Sequence, residues 1–119
     1  MSVDTGRQMP EDVKQVCLWL VRGYERRKLV CQGVPLGKSG KIARERERME
    51  AVKQALVDVG ADISSEDVRE QLRTAILLNV KSGRAHPYER LGLEAVGRSE
   101  FYRRKDRFLM DIAAYLGMA

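Results

Sequence analysis

The sequence predicts an all-α fold, with a helical hairpin and a C-terminal helix-turn-helix in one compact domain. Three observations carry this. Apolar residues recur every three or four positions through four segments, the spacing of one helix face. No stretch alternates apolar and polar residues between turn signals, as a half-buried strand would. Clusters of glycine and proline fall between the periodic segments, where they interrupt regular structure.

Residues 1–9 are polar and read as a disordered N-terminus without the apolar core of a signal peptide. The domain proper is expected over 10–119, with the hairpin at 10–59 and the helix-turn-helix region at 64–119. The first helix is predicted from Pro10 to Cys31. Pro10 suits a first helical position, and Glu11 and Asp12 place negative charge at the positive helix end. Val13, Cys17, Leu20, Tyr24 and Cys31 form its apolar stripe. A second helix is predicted from Ser39 to Val59, with Ile42, Met49, Val52, Leu56 and Val59 inward and Gly60 as its stop. Each stripe can cover the other, which predicts an antiparallel pair.

Ser64 and Ser65 followed by Glu66 and Asp67 announce a third helix. It carries Val68, Leu72, Ala75, Ile76 and Val80, ends near Gly83, and is expected to be central because Leu77 and Leu78 widen its apolar face. A short piece opened by Pro87, a break at Gly92 and a compact stretch to Gly97 lead into a final helix over Arg98–Leu116.

Composition narrows the function. The chain has 119 residues, which suits one domain. Its formal net charge of +5 points to a polyanionic partner, since clustered Lys and Arg release counterions from phosphate backbones. No apolar run is long enough to span a membrane. Cys17 and Cys31 lie fourteen residues apart, about 21 Å along one helix and beyond disulfide reach. With one histidine and no paired-cysteine motif, no metal site is expected, and the thiols suit a reducing cytoplasm.

Other motifs lead away from catalysis. Gly33–Ser39 approaches a phosphate-binding loop. However, only three residues separate Gly33 from Gly37-Lys38-Ser39, Gln32 stands where glycine belongs, and a helix precedes it, so no nucleotide is expected. The run Arg44-Glu45-Arg46-Glu47-Arg48 and the cluster Arg22, Arg26, Arg27, Lys28 read as solvated helix faces, with backbone contact to DNA as a secondary role. His86 has neither nucleophile nor orienting carboxylate in pattern around it. The expectation is a protein that is not an enzyme and carries no cofactor.

The informative segment is the last helix. Phe101, Phe108, Leu109, Ile112 and Leu116 share one face and are expected to pack against the third helix. Arg98, Ser99, Tyr102, Arg103 and Asp106 fall on the opposite face. A basic helix exposing Arg, Ser and Tyr in its first turns offers the donors that major-groove reading needs.

Gly97-Arg98-Ser99-Glu100-Phe101-Tyr102-Arg103-Arg104-Lys105, closing in Phe108-Leu109 and Ala113-Ala114-Tyr115-Leu116-Gly117, resembles the C-terminal end of phage-encoded transcriptional regulators of the RinA/ArpU type. Those are similar in turn to the DNA-binding fourth region of bacterial sigma factors. Ser82–Arg90 looks like the linker that precedes the motif. The likeness covers about the last third of the chain and implies control of late phage genes or of an integrated prophage.

The expected function is therefore sequence-specific binding of double-stranded DNA. Arg98, Ser99, Tyr102 and Arg103 face base edges. Arg104, Lys105 and Arg107 hold phosphates, and Arg84 and Arg90 touch the backbone from the preceding turn. The N-terminal hairpin supplies a homodimer surface. Two alternatives stand beside this reading: a DNA-packaging component of small-terminase type, and a module that docks on RNA polymerase without reading DNA.

Overall fold

In a computed structural model the chain is described over residues 9–118 except 33–39, with the backbone alone at 30–32 and 40–42. Five α-helices follow in order: α1 (Glu11–Arg22), α2 (Tyr24–Gln32), α3 (Gly40–Asp58), α4 (Glu66–Lys81) and α5 (Arg98–Tyr115). A 3-10 turn at Tyr88–Arg90 interrupts the connection between α4 and α5, and no strand occurs among the described residues. The fold is all-α. The expectations for residues 1–8, for the near-match at 33–39 and for the side chains of Cys31 and Ile42 lie outside the described residues. Met9, placed in the polar leader above, instead packs against the core.

The first predicted helix is two. The chain turns at Gly23, and the tertiary structure supplies the reason. Arg27 folds back over Gly23, and its Nη1 donates to the Leu20 carbonyl at 3.1 Å. In an unbroken α-helix that carbonyl accepts the N–H of residue 24. A Cβ at position 23 would lie 2.5 Å from Arg27 Nη1, so only glycine allows this approach. The antiparallel pair is accordingly built from α2 and α3, with α1 set apart to pack on α4 and α5.

Helix α3 stops where Gly60 takes a left-handed φ of 74°, which glycine adopts without a Cβ clash. Arg73, from α4, donates to the Val57 and Val59 carbonyls at 2.8 and 3.3 Å. These are acceptors left without helical partners, at the negative end of the α3 dipole. Ser65 caps α4 as the sequence indicates, its hydroxyl accepting the Val68 N–H at 3.3 Å, with Glu66 and Asp67 in the first turn.

One apolar cluster joins α1, α3, α4 and α5. Cys17, Leu20 and Val21 meet Val52, Leu72, Ile76, Phe101, Phe108, Leu109 and Ile112 in its interior. The face predicted for α5 is therefore the buried one. Its partner differs from the expectation: α5 packs most extensively on α3, next on α1, and only lightly on α4. Ala51 and Ala55 on α3 and Ala113 on α5 are buried, and Ala113 lies against Cys17 of α1.

Candidate nucleic-acid interface

The segment entering α5 is held by side chains, not by helix. Residues 91–97 form bends without a helical turn, so no helix stands at Leu93–Val96. Tyr88, at the start of the 3-10 turn, donates its hydroxyl to the Val96 carbonyl at 2.6 Å, and its ring lies 5.7 Å from that of Phe101. Asn79, buried near the end of α4, donates to the His86 carbonyl at 2.9 Å and accepts from Lys105 Nζ at 2.7 Å. One side chain thus ties the connection and α5 to the same point of α4. Buried amides make such bonds because an unpaired amide away from water costs about 1–3 kcal/mol.

On the outer arc of α5, Ser99, Arg103, Asp106 and Arg107 are exposed, as is Arg98 at the N-terminal end of the helix. Arg98 pairs with Glu89 of the 3-10 turn at 3.0 Å, Arg103 with Glu100 at 3.5 Å and Arg107 with Asp111 at 3.2 Å. Exposed pairs of this kind contribute little to stability and exchange readily for another anion. Arg84 and Arg90 are exposed and have no carboxylate partner among the described residues.

Tyr102 departs from the expected exposure. It is half-buried, with its ring edge-on to Phe101 at 5.2 Å. Arg98 stands 5.2 Å and Lys105 5.9 Å from its centroid. The phenol therefore bridges two cations beside the core.

Arg104 and Lys105 are drawn inward. Each lies one turn from both Phe101 and Phe108 and so falls on the buried flank of α5. Arg104 makes two bonds to Asp62, at 2.9 and 2.8 Å. Those bonds hold the exposed Asp62 carboxyl down at about 2 and raise the Arg104 guanidinium. Burial lowers the Lys105 ammonium, and nearby Lys14 and Arg22 lower it further, against Asp106, which raises it. The outer cations Arg98, Arg103, Arg107, Arg84 and Arg90 are available to a partner, whereas Arg104 is engaged inside the molecule.

Arg27 was grouped above with solvated cations. It is 4% exposed, bonded to Glu45 at 2.7 Å and stacked 4.1 Å over Trp19. Periodicity signals this weakly: Arg27 follows Tyr24 by three residues and Leu20 by seven, on the apolar stripe. Nothing local marks Asn79 or Asp62.

Among the described residues no group of three or more His, Cys, Asp or Glu side chains is arranged to hold a metal ion, and no helix is long and apolar enough to cross a membrane. The chain matches no protein family, no curated protein and no solved structure.

Proposed function

We propose that the chain binds double-stranded DNA through the first turns of α5 and regulates transcription of phage or prophage genes. The observation that carries the DNA-binding reading is the division of α5 into two faces. Phe101, Phe108, Leu109 and Ile112 are buried, so the helix is a fixed rod. Its opposite face presents Ser99 and Arg103 in the first two turns, and Arg98 stands exposed where the buried stripe runs out at the N-terminus, donors suited to guanine edges and phosphates. Here α5 acts as the recognition helix, and the 3-10 turn with its Tyr88 clasp stands in for the positioning element of a helix-turn-helix. Tyr102 contributes by orienting Arg98, and Arg84, Arg90 and Arg107 lie beside the phosphates. The regulatory role rests on the resemblance of residues 97–117 to phage regulators.

A second copy is the expected partner of the N-terminal surface. Val16 and Trp19 on α1 and Leu29 on α2 are 42, 51 and 70% exposed, large apolar side chains that a second copy would cover. Sedimentation should report a dimer; a large ring would instead favour the packaging reading.

Selection from a random duplex pool tests the main claim. Against the selected site, Arg103→Ala should cost about 1–3 kcal/mol and lose less on scrambled DNA. Equal losses on both duplexes would reduce α5 to a backbone clamp. No enrichment, together with retention of RNA polymerase by the immobilised protein, would favour the docking alternative.

A further inference from the structure

Arg22 and Lys105 meet at the seam of α1, α4 and α5, and Lys14 is near enough to Lys105 to disfavour its charge. Lys14, Leu18 and Arg22 are spaced by four and form one stripe of α1, with buried Leu18 fixing its direction toward the core. Arg22 Nε donates to the Val80 carbonyl at 3.0 Å, and Lys105 Nζ donates to Asn79 Oδ1 at 2.7 Å. Arg22 of α1 and Lys105 of α5 are therefore anchored on consecutive residues of α4. The ammonium of Lys105 has three N–H donors and gives one to a neutral acceptor.

Arg103, Arg104 and Arg107 of the same helix pair with carboxylates, whereas Lys14, Arg22 and Lys105 have no ion pair among the described residues. Asp106 is the carboxylate nearest in effect to Lys105; it is exposed and makes no bond to it. The end of α4 offers a partial charge of about −0.5, which offsets part of one cation and leaves the rest of the three unbalanced. Like charges held near the half-buried Lys105 repel one another, and an anion placed among them relieves that repulsion.

We propose that Lys14, Arg22 and Lys105 form a phosphate-binding subsite, which takes a backbone phosphate of duplex DNA on the side of α5 that begins at the exposed Arg98. Arg98 lies seven residues from Lys105, two turns or about 10 Å along α5. Tyr102 stands between them, so the subsite lies on the same stripe of α5 as the exposed Arg98. The nucleic-acid source of the phosphate rests on the DNA-binding reading; the phosphate chemistry of the three cations does not.

Two titrations of the full chain test this, both following the nitrogen-edited signal of the Lys105 ammonium. Inorganic phosphate should shift it saturably. In Lys14→Gln the phosphate affinity should fall about fivefold, the order of effect of one unit charge in a largely solvated setting. Lys28→Gln, the same charge change on exposed α2, should leave it unaltered. With duplex DNA, Lys14→Gln should reduce the slope of log K against log salt by about one. An amide spectrum of each variant establishes that it is folded.

A Lys105 signal indifferent to phosphate, or equal losses in Lys14→Gln and Lys28→Gln, overturns the subsite. If phosphate binds with the expected Lys14 dependence while duplex DNA is not bound, the subsite holds for a free phosphate and the DNA reading fails. If DNA binds with the same salt slope in wild type and Lys14→Gln, the backbone role of the subsite fails and the DNA reading stands.

Discussion

Arg27→Ala removes a buried charge that ties the turn at Gly23 to α3. Arg27 donates to Glu45 and to the Leu20 carbonyl and covers Trp19, all from a 4% exposed position. Removing one partner of a fully buried ion pair costs about 3–5 kcal/mol. Here Glu45 is 20% exposed and keeps Arg48 at 2.8 Å, so roughly 2 kcal/mol is the better figure for that part. The Leu20 carbonyl adds about 1 kcal/mol, and the stack on half-exposed Trp19 about 0.5 kcal/mol. The total is about 3–4 kcal/mol, a large share of the 5–15 kcal/mol that stabilises a domain of this kind. Urea unfolding followed by far-ultraviolet circular dichroism measures it, and the fluorescence of Trp19, the single tryptophan, reports the same transition. Arg26→Ala, one residue away and exposed, should stay within about 0.5 kcal/mol of wild type. A loss below about 1 kcal/mol for Arg27→Ala would place it with ordinary surface pairs and refute the argument.

Gly23→Ala should destabilise by about 1–3 kcal/mol, because the added Cβ meets a guanidinium held at both ends. In an Arg27→Ala background the same change should stabilise by about 0.5–1 kcal/mol through helix propensity, and a sign that stays negative would disprove the link. Phe108→Ala removes a 1% exposed ring and should lower stability by about 3–5 kcal/mol in the same urea assay. Asp62 titrates at about 2 when folded, held down chiefly by the bond from Arg104, and near 3.9 when unfolded. The unfolded chain therefore binds more protons between those values, so this contribution is present above pH ~4 and lost as pH falls toward 2. Asp62→Asn should flatten that part of an acid stability profile, and an unchanged profile would dismiss the pair as a stabilising contact. Tyr88→Phe leaves the Val96 carbonyl without its donor and should cost about 1 kcal/mol. Hydrogen exchange in residues 91–97 should rise; unaltered protection there would show that the clasp is not what holds the entry to α5.

What the sequence determined by itself is whatever depends on near neighbours along the chain. Ser65 followed by two acids starts α4, Gly60 ends α3, and the spacing of Phe101, Phe108 and Ile112 sets which face of α5 is buried. Those signals act within a turn or two, where propensity, capping and helical phase are local properties. The flank position of Arg104 and Lys105 was legible in the same way, from their place between Phe101 and Phe108. Their partners were not. Asp62 lies 42 residues from Arg104, Asn79 lies 26 from Lys105, and Glu45 lies 18 from Arg27. Periodicity says that a charge is near the core but not which distant acceptor reaches it, because that depends on how whole helices cross. The same limit explains the two corrections to the fold. The helix breaks at Gly23 where Arg27 folds over it, and α5 packs mainly on α3 and α1 and only lightly on α4. Both are decided by three-dimensional fit between segments, a property that no single helix carries in its own sequence.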